Sequence, residues 1–197
     1  MRNLENPSWG GWGGRYVKVR ENTYLDPVPV EGYQYPEGRW YGENGWGRCS
    51  LRPGSTATEE ERRIYFKPMW RWSKAMQNDF AARADWCVKS YEEANHAPIV
   101  VLAHEADLMA SAGETLELSA EGTSDPDGDK LAYNWWQYVE AGSYKGKIDL
   151  RNSSDVKSFI QIPADARTGD TIHVICEVSD DGEPQLTRYQ RVVITVR

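Results

Sequence analysis

Ser124-Asp125-Pro126-Asp127-Gly128-Asp129-Lys130-Leu131-Ala132-Tyr133-Asn134-Trp135 decides the fold. Its first half is turn chemistry: aspartates that bond nearby backbone N–H groups, a proline with fixed φ and a glycine free to take positive φ. Its second half sets Leu131, Tyr133 and Trp135 against Ala132 and Asn134, the two-residue period of a strand with one face on a core. Working outward, the same grammar predicts strands at 99–103, 115–120, 131–139, 147–150, 158–162, 171–178 and 188–196, with no helix-period segment between them. About seven short strands at fairly regular spacing predict an immunoglobulin-like β-sandwich over 97–197. Alternation assigns its inward faces to Leu116 and Leu118, to Leu131, Tyr133 and Trp135, and to Ile160 and Ile162. The last two strands add Ile172, Val174, Cys176 and Val178, then Val192, Ile194 and Val196. With Trp135 inside, Trp136 must face the other way, toward solvent or toward the first half of the chain.

The first half, 1–96, has a different texture. Seven of the nine tryptophans precede Ala97, several of them among glycines, as in Trp9-Gly10-Gly11-Trp12-Gly13-Gly14 and Trp46-Gly47. Such stretches rarely make regular helix, so 6–56 reads as loops with a few short strands, 15–19 the best of them. Thr58-Glu59-Glu60-Glu61 is a capping box with acids at the positive end of a helix, which predicts a helix near 59–66. Pro68 interrupts it, and a second helix is predicted over 69–88, where Trp72, Met76, Phe80, Ala84 and Cys87 recur at helical spacing as an expected core face. Glu92-Glu93-Ala94-Asn95-His96-Ala97-Pro98 is polar and ends at a proline, which places the domain boundary between 96 and 97. The chain is thus expected to be mainly β: a loop-rich segment with one or two α-helices, then a sandwich docked to it across a short linker.

A chain of 197 residues has room for two small domains, and 40% hydrophobic with 27% charged residues and a mean hydropathy of −0.71 fits a globular protein. No run reaches the roughly 18 apolar residues of a membrane-spanning helix. The start, Met1 to Pro7, has no apolar signal region and falls just before the Trp-Gly motif, which reads as a truncation. Up to His96 there are 14 Lys and Arg against 13 Asp and Glu, and from Ala97 on 9 against 17. This acidic second half argues against nucleic acid as a partner and suits calcium or a neutral polymer. Cys49, Cys87 and Cys176 lack the spacing of a zinc site. Cys176 falls on an apolar strand face, and Cys49 and Cys87 are the pair an oxidising compartment could join.

Two groups of residues carry candidate chemistry. Trp9, Trp12, Trp40, Tyr41 and Trp46 sit among glycines and can offer ring faces to the C–H face of a pyranose, or can simply pack against another part of the protein. Asp125, Asp127 and Asp129, with Asp180 from the neighbouring turn beside Asp181, can converge on a hard, oxygen-seeking cation, for which calcium is the candidate cofactor. The loop lacks the glutamate that completes an EF-hand, and the alternative is a solvated turn. Asp79 and Arg83 are spaced as a helical ion pair, whereas Asp79 and Asp85 fall about 120° apart around a helix, which disfavours a pair of catalytic carboxylates. His96, His104 and His173 neighbour no nucleophile, and Gly-x-Ser-x-Gly is absent. No catalytic residue is assigned.

The 124–135 stretch, with Glu177-Val178-Ser179-Asp180-Asp181-Gly182, resembles the polycystic-kidney-disease and cadherin-like branch of immunoglobulin-like domains. Pro7-Ser8-Trp9-Gly10-Gly11-Trp12-Gly13-Gly14-Arg15-Tyr16, Trp70-Arg71-Trp72, Asn78-Asp79-Phe80-Ala81-Ala82-Arg83-Ala84-Asp85-Trp86 and Glu93-Ala94-Asn95-His96-Ala97-Pro98 look like the end of the nucleoside-hydrolase-like domain of bacterial cellulose-binding proteins. The resemblance implies an upstream hydrolase-like domain as partner, yet the N-terminal aspartate cluster by which nucleoside hydrolases hold calcium has no counterpart here. It implies a non-catalytic C-terminal segment of an extracytoplasmic protein (secreted, periplasmic or on the cell surface) that binds a polysaccharide or cell-surface glycan. Two alternatives stand beside it: an accessory region of a nucleoside-hydrolase-like or glycoside hydrolase whose active site lies upstream, and a structural spacer.

Overall fold

The structure is a computed structural model and describes residues 6–10, 17–20, 23–25 and 71–197. The predicted helix near 59–66, Cys49, Trp12, Trp40, Tyr41 and Trp46 lie outside the described residues. A short hairpin pairs β1 (Val17–Arg20) with β2 (Thr23–Leu25), overlapping the predicted strand at 15–19. The helix α1 spans Ser73–Asp85, inside the predicted 69–88.

Seven strands follow: β3 (Asp107–Ala110), β4 (Thr115–Ser119), β5 (Ala132–Gln137), β6 (Asp149–Arg151), β7 (Lys157–Gln161), β8 (Thr171–Ser179) and β9 (Thr187–Val196). They form two sheets, one ordered β3-β9-β8-β5 and the other β4-β7-β6. The sandwich core holds the predicted inward residues, with Leu118, Trp135, Ile160, Ile162, Ile172, Val174, Cys176, Val178, Val192, Ile194 and Val196 buried and Leu116, Leu131 and Tyr133 packed against them. Trp135 also donates its indole N–H to Asp155 O at 3.0 Å, so its one polar atom is satisfied inside.

One strand differs from expectation. Within 99–103 there is only a bridge between Ile99 and Ser124, together with the N–H of Ala103 donating to Ser119 O. The chain then crosses to the other sheet, where β3 runs parallel to β9, Asp107 opposite Val193 and Ala110 opposite Val196.

The four-stranded sheet is covered on both faces. Consecutive residues Ile172 to Cys176 are all buried, so β8 lies between two packing layers. On its outer face Trp72 packs against Tyr138 and Ile175, with Trp136 and Tyr189 at the edge. Trp136 thus turns toward the first half, 5.5 Å from the Trp72 ring.

The face of α1 is a correction. Met76 and Phe80 of the predicted core stripe are 40% and 76% exposed, and Cys87 is exposed as well. The helix instead buries Ala75, Asp79 and Ala82, with Trp72 buried just before its first turn. Of the three helix residues two are small, and the third, Asp79, binds Arg188 of β9 at 3.1 Å and Arg83 at 2.8 Å. The Asp79–Arg83 pair read from spacing is present, but Asp79 faces inward.

Candidate functional site

Four strand residues, Asn134, Trp136 and Gln137 of β5 and Glu177 of β8, and the segment before α1 build a cleft of about 410 Å³ on the outer face of the four-stranded sheet. In β5, Asn134 lies opposite Glu177 of β8 and Trp136 opposite Ile175, so the Trp136 indole leans diagonally onto Glu177 and donates Nε1–H to its Oε2 at 2.9 Å. Glu140, beyond the end of β5, closes one side. Arg71 and Trp72 close another. The Arg71 guanidinium bonds Glu140 and lies over three rings, 4.8 Å from the Tyr138 centroid, 5.3 Å from that of Trp136 and 6.0 Å from that of Trp72.

The cleft holds two carboxylates against one guanidinium, and Glu177 contributes to raising the neighbouring Tyr189 hydroxyl, whose main cause is burial. Beneath it, the Nε–H of Arg71 and the Nε1–H of Trp72 have no acceptor among the described residues. Gly142 seats the loop carrying Glu140, since a Cβ there would collide with Thr171 O.

Of the residues expected to act from sequence, those among the described residues are placed elsewhere. Trp9 packs edge-to-face on buried His173 at 4.9 Å, with the Arg191 guanidinium 5.8 Å from its ring. Asp125, Asp127 and Asp129 do converge: one carboxylate oxygen from each lies within 4.8 Å of the others. Asp125 Oδ1 accepts from the N–H groups of Asp127 and Asp129, as in a self-bonded turn. The Asp129 carboxyl is held above the ordinary range by burial and by Asp125, Asp181, Asp180 and Asp127.

Asp180 stands outside that group. It is fully buried and accepts from the backbone of Leu186 and Gly182 and from the Asn95 amide, which also bonds Pro184 O. His96 joins the linker to the acidic turn, its backbone N–H donating to Asp127 Oδ2 at 2.6 Å and its ring Nδ1 3.0 Å from Oδ1. The cleft escaped sequence reasoning because its members come from residues 71–72, 134–140 and 177, which no local spacing links. The one signal was the outward orientation of Trp136.

Residues 115–196 match the family described as cellulose-binding protein Sde0182, C-terminal domain. Almost the whole chain, 98%, superposes on a nucleoside hydrolase-related hypothetical protein from Saccharophagus degradans that is associated with carbohydrate metabolism, at 34% identity and a TM-score of 0.69. The chain spans 46% of that protein. The PKD domain from KIAA 1837 protein aligns over 55% of this chain and 94% of its own length, at 15% identity and a TM-score of 0.36. No curated protein sequence matches the chain. Among the described residues no helix is long and apolar enough to cross a membrane.

Proposed function

We propose, on the match of residues 115–196 to the C-terminal domain family of the cellulose-binding protein Sde0182, that this chain is a non-catalytic, glycan-binding segment of an extracytoplasmic protein and that the Trp136 cleft receives the sugar. The observation that carries this reading is a half-buried tryptophan oriented by Glu177 and flanked by Arg71, Asn134 and Glu140. A pyranose lays its apolar C–H face on an indole and its hydroxyls on carboxylates and amides, and this cleft offers both. The excess of carboxylate over guanidinium favours neutral or amino sugars over uronates.

The test is affinity electrophoresis and titration calorimetry with soluble neutral β-glucans and their oligosaccharides. Glu177→Gln and Trp136→Ala lower affinity by about tenfold or more, roughly 1.4 kcal/mol. Trp136→Phe, which keeps a ring and the fold, gives an intermediate loss. A folded chain that binds no glycan overturns the reading and leaves the accessory-region and spacer alternatives, which restoring an upstream hydrolase-like domain separates.

Calcium at Asp125, Asp127 and Asp129 is a second, independent proposal, favoured by the convergence of their oxygens and by the raised Asp129 carboxyl. A calcium-dependent rise in Tm reversed by chelator supports it, and an unchanged Tm at millimolar calcium overturns it.

A further inference from the structure

We infer that Tyr91 is a second sugar-stacking subsite, separate from the Trp136 cleft and sharing no residue with it; this rests on the glycan-binding reading above. Tyr91 is 63% exposed, yet its ring is fixed. One face stacks on His96 with centroids 3.9 Å apart, and His96 lies nearly parallel to Trp86, 8° between planes at 5.9 Å.

Trp86 and His96 are each anchored by a polar bond, and Tyr91 sits on a capped turn. Trp86 donates Nε1–H to Asn95 O at 2.8 Å, and the Arg83 guanidinium sits 5.6 Å from its ring. His96 is held to Asp127 through both its backbone and its ring. Tyr91 opens a short 3₁₀ turn, Tyr91–Glu93, whose Ser90–Glu93 capping box satisfies two backbone donors.

An exposed tyrosine serving only as a surface residue needs no such support, because its burial contributes little. A ring with one face backed and the other open is a preorganised contact, which loses little side-chain entropy when a ligand lands on it. Exposed Glu92, next to it in the chain, opposes an anion, and the ring face suits the neutral C–H face of a pyranose. On a polymer, two separated contacts raise retention above that of the cleft alone.

The experiment compares the intact chain with Tyr91→Ala, Tyr91→Phe and Trp136→Phe in two assays: partition onto insoluble cellulose, and calorimetry with a short soluble cello-oligosaccharide. Tyr91→Ala lowers partition onto the polymer by about tenfold, Tyr91→Phe behaves as wild type, and neither changes oligosaccharide affinity in the cleft. Polymer retention by Tyr91→Ala equal to wild type, with Trp136→Phe impaired, overturns the subsite and leaves the cleft standing. A wild-type chain retained by neither ligand overturns both.

Discussion

Asp129 and Asp180 show how differently two carboxylates of one acidic corner are used. Asp180 is buried and its charge is met by two backbone N–H groups and an amide, so it fixes the β8–β9 turn and the linker at Asn95. Gly182 allows this, because a Cβ there would occupy the space of the Asn95 side chain. Burial raises both carboxyls; at Asp180 the three donors oppose the rise, whereas at Asp129 four neighbouring aspartates add to it and hold that carboxyl above its unfolded value. The folded chain therefore holds that proton more tightly than the unfolded chain. Ionised Asp129 costs stability above its folded pKa, and the cost disappears as pH falls below the ordinary carboxylate value. Asp129→Asn is expected to raise Tm at neutral pH in chelator by on the order of 1 °C, a small effect because the site is largely solvated. The gain should vanish near pH 3. Thermal scans across pH check this, and a variant less stable than wild type at neutral pH would contradict it.

At the scale of the element, the strands were legible and the helix face was not. Ile172, Val174, Cys176 and Val178 alternate with Thr171, His173, Glu177 and Ser179, Ile175 being the exception, and a two-residue period with that contrast assigns a face. The short β3 escaped notice because Met109 is 62% exposed and Asp107 is polar, which leaves only Leu108 and Ala110 to signal a strand. In α1 the largest apolar residues lie on the outside: side-chain size and an ion pair to Arg188, rather than hydropathy, selected the docking face. Ala82→Leu should therefore cost about 1–3 kcal/mol by overpacking, whereas Phe80→Ser should change stability by less than about 0.5 kcal/mol. Urea unfolding of the two variants measures the difference, and the opposite order would restore the face read from periodicity. The cleft and the Tyr91 column were illegible for a related reason: Trp136 meets Glu177 only through strand register, and His96 meets Asp127 only through a loop 31 residues away.

For the whole molecule, the described residues around Trp9 and Trp72 cover the outer face of the four-stranded sheet. Trp72, Tyr138 and Ile175 form a cluster distinct from the sandwich core, and Trp9 covers His173 nearby. A fragment of 97–197 would uncover Tyr138, Ile175 and Tyr189 together, an apolar patch that a single domain rarely leaves open. The fragment is expected to bind a hydrophobic dye and to unfold at lower urea concentration than the complete chain. Equal stability and no dye binding would show instead that the two halves are energetically independent.

The parallel pairing of β3 with β9 also has a mechanical meaning. The first strand of the sandwich's larger sheet and the last strand of the chain lie side by side in the same direction, from Asp107 opposite Val193 to Ala110 opposite Val196, bounded by bonds from Val193 to Ala106 and from Arg197 to Ala110. Tension between the linker and the C-terminus pulls these two strands in opposite senses along their length. Their hydrogen bonds then share the load together instead of opening one after another, so the sandwich is built to withstand stretching between its ends.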